Sequence, residues 1–239
     1  MQPRVDLASG KTVSAEALLR WRHPELGEIS PAEFVPVIEN TALAWPMTKW
    51  VLATACNQLG EWRRQGIALT LSVNLAASNL KEDVVGELLS NLSLNDLPPG
   101  SLEVELTETS LMQDSAQVLA KLDEMVELGV NLAIDDFGTG YSSLSYLQRL
   151  PVSVVKIDRS FIRALGDGSR EQKLVHSMIK LSHEMGYRVV AEGIEAPEAA
   201  ELLRVMGCDE GQGYLFSRPL EVADFGDLLA AGHPTASAA

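Results

Sequence analysis

The sequence predicts an α/β protein: a (β/α)8 TIM-like barrel forming a single domain. Up to eight short runs rich in Val, Leu and Ile alternate with longer amphipathic segments, and glycines end several of those segments just ahead of the next run. The runs show little apolar/polar alternation, which suits parallel strands covered on both faces. At 239 residues the chain is close to the ~250 of a typical barrel. A doubly wound open sheet is the alternative arrangement of the same elements.

Pro3–Leu7 and Ala15–Trp21 open the chain as strands. Ser30-Pro31-Ala32-Glu33 then offers an N-cap serine, a proline at the first helical position and a capping-box glutamate, with apolar spacing continuing through Phe34, Val37 and Ile38. Thr48–Arg64 is a long amphipathic helix closed by Gly66, ahead of the strand Thr70–Leu75. After the strand Ser101–Leu106, the helix Ser115–Leu128 stops at Gly129 and leads straight into the strand Val130–Asp135. Ser153–Ile157 follows as a strand, then a second capping box, Ser169-Arg170-Glu171-Gln172, opens a helix that runs to about Met185 and stops at Gly186. Arg188–Ala191 is the next strand. Pro197–Met206 is a helix ending at Gly207, Asp209–Leu215 a strand, and Val222–Ala231 a last helix ending at Gly232.

Composition narrows the function classes. A hydrophobic share of 46% and a charged share of 22% are ordinary globular usage, against disorder or a fibrous repeat. No stretch approaches the ~18 uncharged apolar residues of a membrane span, and no signal peptide opens the chain. A cytoplasmic location is therefore expected, alone or as the cytoplasmic part of a membrane-anchored parent protein. The formal net charge of −14 repels a polyanion, so polymeric nucleic acid is excluded as a partner. A small anionic substrate stays open, provided cations separate it from the protein. Cys56 and Cys208 match no zinc spacing and read as reduced core thiols. No Pro/Ser/Gly-rich linker interrupts residues 1–232, which read as one domain, with 233–239 a disordered tail. The strand signal begins within a few residues of Met1, as in a module excised from a longer protein.

Polar residues interrupt the apolar runs at their ends. Asn74 ends Leu-Ser-Val-Asn, Glu105 and Glu108 end Leu-Glu-Val-Glu-Leu-Thr-Glu, and Asp135 and Asp136 end Leu-Ala-Ile-Asp-Asp. Lys156 and Asp158 end Val-Val-Lys-Ile-Asp, Glu192 ends Val-Val-Ala-Glu, and Glu16 is read at the start of the second strand. Any one of these suits a cap or a solvated loop edge. Five successive strands ending alike point instead to the C-terminal face of a barrel, where active sites are built. Convergence there of Glu16, Asn74, Glu105, Asp135, Asp136 and Glu192 clusters five carboxylates, which cannot all stay ionised without cations. Oxygen ligands with no histidine or cysteine suit a hard metal, Mg²⁺ or Mn²⁺, rather than zinc. The adjacent Asp135 and Asp136 could bind two ions, with one carboxylate bridging. His23, His176, His183 and His233 are isolated, no Gly-x-Ser-x-Gly elbow or P-loop occurs, and Gly138-Thr139-Gly140 lacks the strand–GxGxxG–helix context of a dinucleotide loop.

Glu16-Ala17-Leu18-Leu19-Arg20-Trp21 with His23-Pro24 resembles the signature of the EAL-domain family. Ser-Val-Asn, Glu-Leu-Thr-Glu, Asp-Asp-Phe-Gly-Thr-Gly-Tyr-Ser-Ser-Leu, Val-Lys-Ile-Asp and Val-Ala-Glu-Gly follow in that order, and the likeness runs from Gln2-Pro3 to Arg218-Pro219. The resemblance implies a cyclic di-GMP phosphodiesterase that uses two Mg²⁺ or Mn²⁺ ions per site, is inhibited by Ca²⁺, and releases linear 5′-pGpG. It implies metal ligation by Glu16, Asn74, Glu105 and Asp135, with Asp136 on the second metal. Lys156 would hold the attacking water, and Glu192 would be general base or second-metal ligand. Arg20 is implied for the substrate phosphate, Gln212 for the substrate or the site floor, and Glu108 for bracing the loop 137–144, through which such domains form homodimers. Upstream sensory or cyclase domains would belong to a parent protein. The other reading is a catalytically silent cyclic di-GMP receptor signalling through that loop surface. Met1, Ser14, Ala42 and Thr48 depart from the residues usual in the family, none of them at an expected ligand position.

Overall fold

The computed structural model describes residues 1–111, 116–140, 144–166 and 168–230. In chain order its strands and α-helices are β1 (Gln2–Asp6), β2 (Thr12–Ala17), β3 (Trp21–His23), β4 (Gly27–Ile29), α1 (Pro31–Glu39), α2 (Ala44–Arg64), β5 (Thr70–Asn74), α3 (Val84–Leu94), β6 (Leu102–Thr107), α4 (Glu108–Leu111) and α5 (Ala116–Leu128). They continue with β7 (Asn131–Phe137), α6 (Leu144–Leu147), β8 (Val154–Ile157), α7 (Arg159–Arg163), α8 (Arg170–Glu184), β9 (Arg188–Ala191), α9 (Pro197–Val205), β10 (Glu210–Gln212) and α10 (Val222–Ala230). Eight strands close into a barrel in the order β1-β10-β9-β8-β7-β6-β5-β2, so the open-sheet alternative falls away. The expected tail 233–239 lies outside the described residues.

The first two strands differ from the sequence reading. β1 runs antiparallel to both of its neighbours, while the remaining pairs around the barrel are parallel. The five residues between β1 and β2 are too few for a parallel crossover, which needs a dozen or more, and fold instead as a hairpin turn. In that turn the Gly10 amide donates to the Asp6 carbonyl (2.8 Å), and the Ser9 amide and hydroxyl both donate to Asp6 Oδ1. The second strand, expected over Ala15–Trp21, stops at Ala17; Trp21 instead begins the separate hairpin β3–β4. Glu16 consequently sits near the C-terminal end of β2 and not at its start.

Helix ends follow local chemistry. Glu33 reaches back to the Ser30 amide (3.3 Å), and the Ser169 hydroxyl accepts from the Gln172 amide (3.0 Å). The Gln172 side chain turns to the Gly168 amide, so the second box is not reciprocal. Gly129 ends α5 with φ +93°, a conformation that glycine takes without steric cost, and hands the chain to β7. α3 has no counterpart in the sequence reading; it is capped by Asp83, whose carboxylate accepts from the Gly86 amide (3.1 Å), and buries Leu88 and Leu92.

Period-two alternation sorts side chains between the inside and the outside of the barrel. Along β6, Leu102, Val104 and Leu106 join the main apolar core, which also holds Leu52, Cys56, Leu59 and Trp62 of α2 and Leu122 and Met125 of α5. Their neighbours Glu103 and Glu105 are equally buried yet engage Arg4 and Lys156, so charge fills much of the lumen. Cys56 and Cys208 are buried and unbridged, and burial pushes the Cys56 thiol up to about 11.

Phe225 of α10 is wholly buried, its ring 5.4 Å from that of Trp62. Phe225→Ala is expected to destabilise the fold by about 3–5 kcal/mol, read as a lowered urea midpoint with an unchanged slope.

Candidate active site

Each strand end delivers its polar residue to one rim because the parallel strands β2 and β5–β10 all point the same way. In register, Glu16 lies beside Ser72 just below Asn74, Asn74 pairs with Glu105, and Thr107 pairs with Asp135. The reversed β1 brings its first residue, Gln2, opposite Glu16. Gln212, the last residue of β10, donates to Glu16 Oε2 (2.6 Å) and to Gln2 Oε1 (3.1 Å), while Asn74 Nδ2 donates to Glu16 Oε1 (2.8 Å).

Lys156 stands in the centre. Its ammonium lies 2.7 Å from Glu105 Oε2, 2.7 Å from Glu192 Oε1, 3.2 Å from Asp135 Oδ1 and 3.6 Å from Glu16 Oε2, on a side chain with no solvent exposure. Burial alone would push this amine down; Glu105, Glu16, Glu192 and Asp135 outweigh it and hold it well above the usual lysine range.

The carboxylates respond unequally. Burial raises Glu105 well above the glutamate range, with Glu16 and Asp135 adding to the rise and Lys156 opposing it. Burial also raises Glu192, with help from Asp135 and Glu16, to about 7. For Glu16 the burial effect is overcome by Lys156 and by the hydrogen bonds from Gln212 and Asn74, so its pKa is lowered.

Consecutive residues of a regular strand face opposite ways, yet Asp135 and Asp136 both reach the site. The β7–β8 register shifts between Ile134 and Phe137, and Asp136 takes φ +54° with its amide on Asp135 Oδ1 (3.0 Å). Carboxylate oxygens of Asp135, Asp136 and Glu192 lie within 4.8 Å of one another, an all-oxygen set of the kind a hard divalent ion takes. Glu105 Oε1 is buried without a hydrogen-bond partner, and the guanidinium of Arg4 lies 3.7 Å from it.

Glu108 opens α4 and is 3% exposed; its Oε2 accepts from the amides of Gly138 (2.8 Å) and Gly140 (3.3 Å). Gly138 has φ +97°, and a Cβ there would meet Met178 Cε at 2.7 Å and Phe161 Cε2 at 2.8 Å. Residues 141–143 of the loop 137–144 lie outside the described residues. Arg20 stands apart from the carboxylates: Nη1 donates to the Leu19 carbonyl (2.7 Å), and Nε lies 3.8 Å from Glu28 on the wall of a cleft of about 600 Å³. The sequence reading missed a second ionic layer below the cluster, in which Arg4 binds Glu103 and Glu210, and Arg188 binds Glu210 (2.6 Å). The sequence signal was slight: Arg4 sits between Pro3 and Val5 in a strand that also carries Gln2 and Asp6. His183, read as isolated, pairs with Asp209 (2.8 Å).

A family model described as EAL domain matches residues 1–219. The chain belongs to the EAL domain family. Over 95% of its length it is 45% identical to the cyclic di-GMP phosphodiesterase PA2567 of Pseudomonas aeruginosa, covering 39% of that protein. It is 41% identical to the cyclic di-GMP phosphodiesterase NbdA of the same organism over 96% of its length, covering 30% of NbdA. The chain thus spans well under half of these relatives. A solved structure of the PaMucR phosphodiesterase in complex with c-di-GMP superposes with a TM-score of 0.89 at 39% identity, over 94% of this chain and 92% of that one. The EAL domain of Mycobacterium smegmatis DcpA gives 0.83 at 34% identity, over 98% and 96%. Among the described residues of this EAL domain, no helix is long and apolar enough to cross a membrane.

A carboxyl whose pKa is higher in the folded chain than in the unfolded one keeps its proton preferentially when folded. Stability therefore falls as pH rises from the ordinary glutamate range to about 7, the window set by Glu192, with Glu105 and Asp136 acting in the same sense. Glu16 acts oppositely, but its contribution is complete above the ordinary glutamate pKa. In EDTA the melting temperature is expected to fall between about pH 5 and pH 7.5, and Mn²⁺ is expected to restore it at the upper end; a flat EDTA profile in calorimetry would contradict this.

Proposed function

We propose that this EAL domain hydrolyses cyclic di-GMP to linear 5′-pGpG, using water activated by two divalent ions, Mg²⁺ or Mn²⁺. The observation that carries the reading is charge: Glu16, Glu105, Asp135 and Glu192 surround one ammonium, Lys156, and Asp136 adds a fifth carboxylate beside Asp135 and Glu192, leaving four formal negative charges that two divalent ions would cancel. Relatives named cyclic di-GMP phosphodiesterase, and a related structure holding c-di-GMP, support the choice of substrate.

In this reading Glu16, Asn74, Glu105 and Asp135 would hold one ion, and Asp136 would help to hold the other. The Asn74 amide, which donates its N–H to Glu16, keeps its oxygen for a cation. Bound ions supply Lewis acidity, which makes hydroxide available near neutral pH and stabilises charge on the attacking and leaving oxygens. Lys156 is a compact ammonium with three donors, able to orient a water molecule at the cluster. Glu192, raised to about 7, is poised to accept a proton near neutrality. Gln212 fixes the orientation of Glu16 from the floor. Arg20 lies at the rim, 38% exposed and weakly held by Glu28, so its fork can exchange that partner for a phosphate. Glu108 holds the backbone after Asp136 through the Gly138 and Gly140 amides, and pairing of two copies through the loop 137–144 belongs to the same reading.

Incubation with cyclic di-GMP and Mg²⁺, followed by chromatography, is expected to yield the linear dinucleotide; binding without product would instead make the chain a receptor. Glu16→Ala and Asp135→Ala are each expected to lower kcat by at least ~100-fold, since losing a direct ligand exceeds the 10–100-fold typical of its supporting partners. Near-wild-type turnover would refute the ligand assignment. Replacing Mg²⁺ with Ca²⁺ is expected to retain nucleotide binding by calorimetry while suppressing product, because the larger ion tolerates looser coordination.

A further inference from the structure

We infer that Arg4 is a positioning residue for the ligand carboxylate Glu105, acting from beneath the site inside the barrel. The inference rests on the two-ion reading above and extends it to a residue outside the cluster at the rim.

Arg4 is 1% exposed at the middle of β1 and projects into the lumen. Its guanidinium addresses three carboxylates. Nε and Nη2 hold Glu210 Oε2 at 2.9 and 2.8 Å, Nη1 pairs with Glu103, and the same Nη1 lies 3.7 Å from Glu105 Oε1. The planar fork makes the paired bonds to Glu210, which a lysine cannot copy, whereas the charge facing Glu105 is one that a lysine also carries. Arg188 closes the layer through Glu210, with Glu103 3.9 Å away, so two guanidiniums face two carboxylates and the layer is neutral in itself.

Glu105 is therefore bracketed. Its Oε2 is taken by Lys156 at 2.7 Å, and its buried Oε1 has no hydrogen bond, with Arg4 as the cation recorded beside it. In a lumen closed to water a charge at that distance acts with little screening. It favours a carboxylate lying along the line between Arg4 and Lys156, with Oε1 kept from turning away. Buried ion networks add little net stability compared with apolar packing of the same volume. The specific effect of this one falls on the orientation of Glu105, as outer-shell partners orient metal ligands elsewhere.

The test is Mn²⁺ titration of the full chain by calorimetry without nucleotide, followed by steady-state kinetics on cyclic di-GMP. Arg4→Met is expected to weaken Mn²⁺ binding by about tenfold or more and to lower kcat correspondingly, with KM within about twofold. Arg4→Lys is expected to recover most of the Mn²⁺ affinity. If Arg4→Met does not fold, Arg4→Met/Glu103→Gln removes the charge left behind, and the same loss of Mn²⁺ affinity is expected from it. A purely structural role for Arg4 predicts a lower melting temperature with unchanged Mn²⁺ affinity, and wild-type affinity in folded Arg4→Met or Arg4→Met/Glu103→Gln overturns the inference. A wild-type chain that binds no Mn²⁺ would overturn the two-ion reading and this inference with it, a failure visible before any substitution is made.

Discussion

Glu16, Glu105, Asp135 and Glu192 face one another across a space in which like charges repel by several kcal/mol, on the order of 4 kcal/mol for a pair 4 Å apart in a medium of intermediate polarity. The ammonium of Lys156 makes that arrangement tolerable, within 3.6 Å of all four. Much of the architecture serves to bring these groups together. Parallel strands set their ends at one rim, the shifted register of β7 turns two successive aspartates inward, and β10 adds an amide that fixes Glu16. One positive charge is not enough for the set, and the remaining imbalance defines the ligands the rim attracts.

The barrel divides its work between two surfaces. Outward-facing Leu, Val and Ile of the strands meet α2, α5 and α8 and supply the apolar burial that drives folding. The lumen instead stacks a rim layer around Lys156 on a lower layer around Arg4, with Ala133, Val154 and Val190 as a small apolar patch. The lower layer explains how a strongly acidic chain keeps Arg4, Glu103 and Glu210 in its interior: Arg188, half exposed at the edge of the layer, supplies the charge that balances them. α10 contributes from beyond the span of the family match, which ends at residue 219, by placing Phe225 against Trp62.

The strand ends were legible because carboxylates break otherwise apolar runs, and a closed barrel is the arrangement that gathers Asn74, Glu105, Asp135 and Glu192. The course of the chain around Glu16 was less so. Ala15–Trp21 reads as one mainly apolar run broken by Glu16 and Arg20, yet β2 ends at Ala17, residues 18–20 leave the barrel, and Trp21 begins a strand that turns back through residues 24–26 into β4. The reversal of β1 follows from a link too short for a crossover, a count the composition of the strand conceals. Arg4, Glu103 and Glu210 escaped notice because a charge in a strand reads alike whether it points to a lumen or to solvent; pairing partners some 99 to 206 residues away decide between them. α3 was missed because its cap, Asp83, follows two other polar residues and carries no serine or proline flag.

The hairpin at the start of the chain has a mechanical consequence. In a barrel whose first strand runs with the others, the amino end enters beneath the floor. Here the turnabout of β1 lifts Met1 to the top, clasped to Leu220 by paired backbone bonds of 2.6 and 2.7 Å. Any polypeptide fused ahead of Met1 emerges beside Gln2 and Glu16, a tether point from which a pull or a twist arrives at the carboxylate rim without crossing the body of the protein.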